Sequence, residues 1–202
     1  MALALALPAP AVVVIVDSSG RPQRLELTPP ADEAEGKSPA VEEARKILNR
    51  GVLKLQAGRI LEATIDFEKA LQLDPKSATA YVNRAVARAK QSLWREALAD
   101  CDRALEIDST HAAGYHTRGL APEGLKRYEE AIADFTQALT LDPGFAQAWL
   151  KRGRMHTRAS RFPEAIDDFS KVIAIDPQNA LAFHNRGVCY HQLGRRLRPK
   201  RM

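Results

Sequence analysis

At 202 residues, 45% apolar and 27% charged, the chain has the size of one domain, and no stretch reaches the ~18 consecutive apolar residues that a membrane crossing requires. The net charge of +5 is local: Gly194 to Met202 holds Arg195, Arg196, Arg198, Lys200 and Arg201 with no acid, so the rest carries 25 basic and 25 acidic residues. Two widely separated cysteines, Cys101 and Cys189, fit a reducing compartment, and a protein that is soluble and cytoplasmic, with the nucleus left open by the basic tail.

Residues 1–43 form the first region. Met1 to Val16 is apolar, yet no Lys or Arg precedes Arg21, and Pro8 and Pro10 interrupt it, which argues against an export signal. Val12 to Val16 and Gln23 to Thr28 flank the turn signal Asp17-Ser18-Ser19-Gly20, predicting a short β-hairpin within 11–28. Residues 29–40 read as linker from their Pro, Gly and acidic content.

From residue 44 the chain repeats itself every 34 residues, giving units 44–77, 78–111, 112–145 and 146–179 and the start of a fifth, 180–194, before a basic tail, 195–202. The fourth position holds Ile47, Tyr81, Tyr115, Trp149 and Phe183, and the eighth Gly51, Ala85, Gly119, Gly153 and Gly187. Later in each unit come Ile60, Trp94, Tyr128 and Phe162, then Ala63, Ala97, Ala131 and Ala165, then Phe67, Cys101, Phe135 and Phe169. Spacings of three and four, as in Ile166, Phe169, Val172 and Ile173, put the apolar residues of each half-unit on one helical face, so a unit is two antiparallel helices. Gly or Ala at the eighth position lets the helix axes approach, and Asp-Pro at 74–75, 142–143 and 176–177 is expected to stop the second helix. Pro122 falls in a helix interior and predicts that the first helix of the third unit bends or ends early.

The same interval is kept by Arg50, Arg84, Arg118, Arg152 and Arg186 and by Asp66, Asp100, Asp134 and Asp168. Two readings are open: a row of ligand-binding cations, or Arg–Asp pairs that hold the stack in register, and the second is favoured. In the fifth unit a first helix is followed by the basic tail where a second helix should stand. That helix either meets another molecule through an outward side including Tyr190 and Leu193, or belongs to a shortened form of a longer array, the latter being slightly favoured.

The recurring positions resemble the tetratricopeptide repeat over residues 44–194. The resemblance implies an all-α fold, a right-handed α-solenoid of antiparallel helix pairs, with the first helix of each unit lining a concave groove. Groove positions of that family fall here on Arg45, Asn49, Gln56, Thr79, Asn83, Lys90, His116, Thr117, Gln147, Lys151, Arg154, Arg158, His184, Asn185 and Gln192, among which Glu123 is a rare acid. Asn49, Asn83, Lys90, Lys151, Arg154, Arg158 and Asn185 are the candidate peptide-binding residues. Asn83 and Asn185 would hold a peptide backbone, and Lys151, Arg154 and Arg158 would supply charge. One subfamily clamps the terminal carboxylate of heat-shock chaperones; this chain matches it only at Asn83, with Leu48, Val52, Ala113 and Thr117 at the other places, so that clamp is not expected.

The sequence shows no Gly-rich phosphate loop, no zinc-spaced Cys pair and no His-Glu-x-x-His, and its five His are spread over separate positions. No catalytic residue, metal, cofactor or small-molecule substrate is therefore expected, and the chain is read as a non-enzyme. The leading reading is a scaffold or adaptor that binds a partner's peptide or helix of acidic character, co-chaperone-like in type. The alternatives are an anion-binding protein that uses the basic tail on nucleic acid or membrane, and a regulatory fragment of a larger repeat protein.

Overall fold

The structure, a computed structural model, describes residues 11–16, 22–27, 38–124 and 127–197, with side chains described for 38–121 and 127–194. The expected hairpin turn, most of the linker and the end of the basic tail lie outside the described residues. Strands β1 (Ala11–Val16) and β2 (Pro22–Leu27) pair antiparallel, from Ala11 opposite Leu27 to Val16 opposite Pro22. Nine helices follow among the described residues: α1 Pro39–Gln56, α2 Ile60–Leu73, α3 Ala78–Lys90, α4 Trp94–Ile107, α5 Ala112–Gly124, α6 Tyr128–Leu141, α7 Ala146–Arg158, α8 Phe162–Ile175 and α9 Ala180–Leu197. Each even-numbered helix packs on the odd-numbered helix before it and the one after it, while α1 meets α3, α3 meets α5 and α7 meets α9. The odd helices thus form one layer and the even helices a second layer behind it, and the fold is the all-α solenoid. Strand β1 lies beside α1 and α3.

Helix ends follow a repeated chemistry. Helices α1, α3 and α7 close on a left-handed residue, Gly58 (φ 75°), Ser92 (φ 61°) and Ser160 (φ 60°). The next amide turns back to the helix, Arg59 N to Lys54 O at 2.9 Å, Leu93 N to Arg88 O at 2.9 Å and Arg161 N to His156 O at 2.8 Å. The even helices close on Asp74, Asp108, Asp142 and Asp176, whose Oδ1 accepts the amide two residues on, from Lys76, Thr110, Gly144 and Gln178 at 2.9–3.1 Å. This Asx turn forms in the second unit around Ser109 as it does around Pro elsewhere, so the aspartate, present in every unit, is what makes the stop.

Two boundaries differ from the sequence reading. Helix α1 begins at Pro39, inside the expected linker, because Ser38 caps it, accepting from Val41 N at 3.4 Å, and Pro39 occupies the first turn where an amide would have no partner. Helix α9 continues to Leu197, so Arg195 and Arg196 belong to a helix and not to a separate tail. The early end expected at Pro122 is not seen: α5 runs Ala112–Gly124, a span of 13 residues like those of α3 and α7. Pro122 stands in the last turn, where one lost amide bond does not unmake the turns before it.

The core is a run of shared clusters. Leu48, Val52, Phe67, Ala70 and Ala80 join α1, α2 and α3; Val82, Ala104, Leu139 and Ala148 join α3, α4, α6 and α7; Leu150, Phe162, Phe169, Val172 and Ala182 join α7, α8 and α9. Most of this interior is shared between neighbouring units, the small cluster of Ala85, Ala89, Ala97 and Cys101 being internal to the second, which is why a single unit would not fold alone. Within a unit the tightest contact is between the eighth position and the aromatic of the second helix. A Cβ added at Gly51, Gly119 or Gly153 would come within 2.6, 2.8 and 2.8 Å of Phe67, Phe135 and Phe169, rings with no exposed surface. In the second unit both sizes change together: Ala85 faces the smaller Cys101, and both are fully buried. Size matching at this contact predicts that Cys101→Phe alone overpacks the second unit and costs about 1–3 kcal/mol in urea unfolding. Adding Ala85→Gly should recover part of that loss, giving a coupling of about 0.5 kcal/mol or more. Additive effects of the two changes would show that the pair is not matched.

Candidate functional site

The Arg and Asp ladders meet. Each arginine lies on an odd helix and grips the aspartate of the following even helix with two bonds: Arg50 to Asp66 (2.9 and 2.8 Å), Arg84 to Asp100 (3.0 and 2.6 Å), Arg118 to Asp134 (3.0 and 2.7 Å) and Arg152 to Asp168 (3.0 and 2.7 Å). The remaining nitrogen reaches back to the preceding unit, Arg118 to Asp102 at 3.1 Å, Arg152 to Thr136 at 3.1 Å and Arg186 to Ser170 at 3.2 Å. Arg84, Arg118, Arg152 and Arg186 also lie 4.7–5.4 Å over the aromatic ring one helical turn earlier. Four of the five arginines are thereby committed to joining the two helices of a unit, and the structural reading of the ladder is the correct one for them.

The aspartates respond to their depth. At the outer pair, hydrogen bonds from the half-exposed Arg50 hold the Asp66 carboxyl below its ordinary range. Burial pushes the Asp134 and Asp168 carboxyls up, against the bonds from Arg118 and Arg152. Lys54, Arg88 and His156 stand one turn beyond these arginines and add a further contact to the carboxylate, at 2.7, 2.7 and 3.8 Å. The third unit has Pro122 there, which has no side-chain donor.

The layer of odd helices is the candidate binding wall. Its first half is apolar and closed: Leu48, Val52, Val82 and Val86 are buried. Asn83 does not lie on the accessible surface as expected; it has 0% exposure, donates from Nδ2 to Thr79 O at 2.9 Å and leaves Oδ1 without a partner. Beside it in the wall, Thr117 and Gln147 are buried with side-chain oxygens unpartnered, and His116 is buried with neither ring nitrogen bonded. The sequence places all of these at groove positions but gives no sign that they lie beneath the surface, since that depends on how closely neighbouring odd helices stack. The other candidates are solvent-accessible to differing degrees: Lys90 and Arg158 exposed, Asn49, Lys151, Arg154 and Asn185 half-buried. Lys151, Arg154 and Arg158 fall at intervals of three and four along α7, one face of one helix, and Arg158 also lies 5.6 Å over the Tyr128 ring.

Catalytic chemistry has little to work with. Burial pushes both free thiols up, Cys101 most, so neither is an activated nucleophile; Cys189 contacts Thr157 Oγ1 at 3.2 Å. Among the described residues no group of three or more His, Cys, Asp or Glu could hold a metal ion, and no helix is long and apolar enough to cross a membrane.

His116 lies tilted against the rings of Phe135 (centroids 5.5 Å apart) and Phe145 (4.8 Å), and burial with the nearby Lys151 charge lowers its pKa from 6.5 to about 3. The unfolded imidazole takes up a proton near pH 6.5 while the folded one does not until about 3, so folded stability falls as pH drops through that window. Wild type should lose about 2 kcal/mol from this group between neutral pH and pH 5, and His116→Leu, which copies Leu48 and Leu150 at the matching position, should not. Urea midpoints of the two proteins measured from pH 7.5 to 5 check this, and parallel pH profiles would contradict it.

With this geometry the chain compares with known proteins as follows. The tetratricopeptide repeat family model matches residues 48–112 and 117–180, more than half of the chain. The comparison with curated proteins returned no match. Among solved structures, Pseudomonas aeruginosa pilF is similar with a TM-score of 0.71 and 25% identity, over 77% of this chain and 71% of that one. YrrB, described as a TPR protein with an unusual peptide-binding site, has a TM-score of 0.61 and 25% identity, over 78% and 84% of the two chains. The second TPR domain of human RPAP3, in complex with the HSP70 peptide SGPTIEEVD, has a TM-score of 0.54 and 27% identity, over 56% and 94%. On the repeat period, the paired helices and the extent of the family match, the chain belongs to the tetratricopeptide repeat family.

Proposed function

We propose that this protein is a non-catalytic adaptor whose wall of odd helices holds an acidic peptide or helix of a partner protein. The observation that carries the reading is the cationic face of α7, Lys151, Arg154 and Arg158, where Arg154 stands at the repeat position that the buried Val52 and Val86 hold in the first two units. Asn49, Lys90 and Asn185 are the amide and ammonium donors that would complete it, matching backbone carbonyls and carboxylates of an extended chain. The peptide-binding site described for YrrB and the peptide complex of the RPAP3 domain support a peptide partner, and the RPAP3 domain's ligand, SGPTIEEVD, carries adjacent acidic residues. The chaperone carboxylate clamp is not proposed, because its one matching residue, Asn83, is buried. The two free, buried cysteines support a reducing compartment, and this reading places the protein in the cytoplasm.

The test is fluorescence anisotropy with paired synthetic peptides of equal length, one Glu-rich and one Lys-rich, titrated with the full chain. The acidic peptide should bind, weaken with rising salt, and lose at least about tenfold in affinity to Lys151→Glu with Arg154→Glu, about 1.4 kcal/mol. Equal affinity of wild type and the double variant would place the site elsewhere.

A further inference from the structure

A second surface, independent of the wall, lies on α9. Ala182 and Cys189 bury one side of this helix against the core it shares with α7 and α8. On another side Phe183, Arg186, Gly187 and Tyr190 follow at intervals of three and four, and so form one stripe. Phe183 and Tyr190 are 45% and 56% exposed, unusual for large aromatic side chains in this fold.

The earlier units show what such a stripe receives. Gly51, Gly119 and Gly153, which correspond to Gly187, each take the phenylalanine of the next helix so closely that a Cβ would stand within 2.8 Å of it. A Cβ at Gly187 would meet nothing within 4 Å. Glycine in a helix interior is unfavourable relative to alanine, and nothing within the described residues calls for it here. Arg186 shows the same incompleteness in charge. Arg50, Arg84, Arg118 and Arg152 each grip an aspartate 16 residues on, whereas Arg186, bonded to Ser170 and lying over the Phe183 ring, meets no carboxylate among the described residues. Tyr190 takes the place of Lys54, Arg88 and His156, the residues that add a second contact to that aspartate.

Steric cradle, uncompensated guanidinium and exposed aromatics specify one kind of occupant. We propose that the α9 stripe docks an amphipathic helix with Asp followed directly by Phe, and Ala four residues before that Phe, as in Ala63–Phe67, Ala131–Phe135 and Ala165–Phe169. The phenylalanine seats on Gly187, the aspartate accepts from Arg186 and from the Tyr190 hydroxyl, and the small residue lets the axes approach.

The probe is a fluorescent, helix-constrained peptide of residues 127–143, which carries Asp134 and Phe135, titrated with the full chain. Saturable binding is expected, with at least a tenfold loss for Gly187→Leu and for Arg186→Glu, and at least a tenfold loss when the phenylalanine of the peptide is replaced by Ala. Gly187→Leu fills open space, so its circular-dichroism spectrum and melting curve should match wild type. Acidic-peptide binding at Lys151 and Arg154 should also be unchanged in Gly187→Leu, which separates failure here from failure of the wall. No binding of the peptide, or equal binding by wild type and Gly187→Leu, overturns the proposal. A self-associated chain that dissociates in Gly187→Leu and takes up no peptide also overturns it, because the face would then belong to a second copy.

Discussion

Everything in this molecule depends on how closely two helices of one unit can approach, and that distance is fixed by a glycine against a ring. With no side chain at Gly51, Gly119 or Gly153, the phenylalanine of the neighbouring helix lies on the backbone itself, and its ring is removed from water. One buried Phe of this kind accounts for several kcal/mol, a large share of a typical domain's stability. The bidentate Arg–Asp bond beside it gives direction to a contact that is otherwise only a matter of shape. Apolar packing tolerates rotation and sliding, whereas two parallel N–H···O bonds from a planar guanidinium do not. From Arg118 onward a further nitrogen ties the unit to the one before, so that angle as well as distance passes along the array.

This arrangement explains why Arg50, Arg84, Arg118 and Arg152 are unsuited to gripping a ligand. A guanidinium that already holds a nearly dry carboxylate could turn to a ligand only by leaving that charge buried and unpaired, at a cost of about 3–5 kcal/mol. The buried, unpartnered polar atoms of Asn83, His116, Thr117 and Gln147 are a different case, polar side chains held inside the odd-helix layer, where hydrogen-bond partners are few.

Much of this was legible in the residues. A 34-residue period is visible without any structure, and the small residue opposite a large one can be read from the columns it makes, including the joint change to Ala85 and Cys101. The Arg–Asp pairing was readable as a spacing, though not its reach to the preceding unit, which depends on the angle between units. Burial on the wall was not legible, because Asn83 and Asn185 share one repeat position and differ only in what lies beside their helices. The start of α1 could have been found: Ser38 followed by Pro39, with Glu42 in the first turn, is a helix-start signal that the linker-like composition around it obscured. The early end expected at Pro122 did not follow because a rule for helix interiors was applied to a last turn.

The same columns that define the repeat also expose what α9 has not used. In a solenoid each internal helix is sandwiched, so the residues that suit the sandwich are kept only where two neighbours exist. Phe183, Arg186 and Gly187 continue the sandwiched pattern of Trp149, Arg152 and Gly153, residue for residue, yet among the described residues only α8 packs on this helix in the way that both α6 and α8 pack on α7. A helix whose only task was to seal the array would present polar residues outward and have no use for a glycine in mid-helix. The chemistry on α9 is that of an internal helix, and its unmatched face therefore describes the shape and charge of whatever completes it.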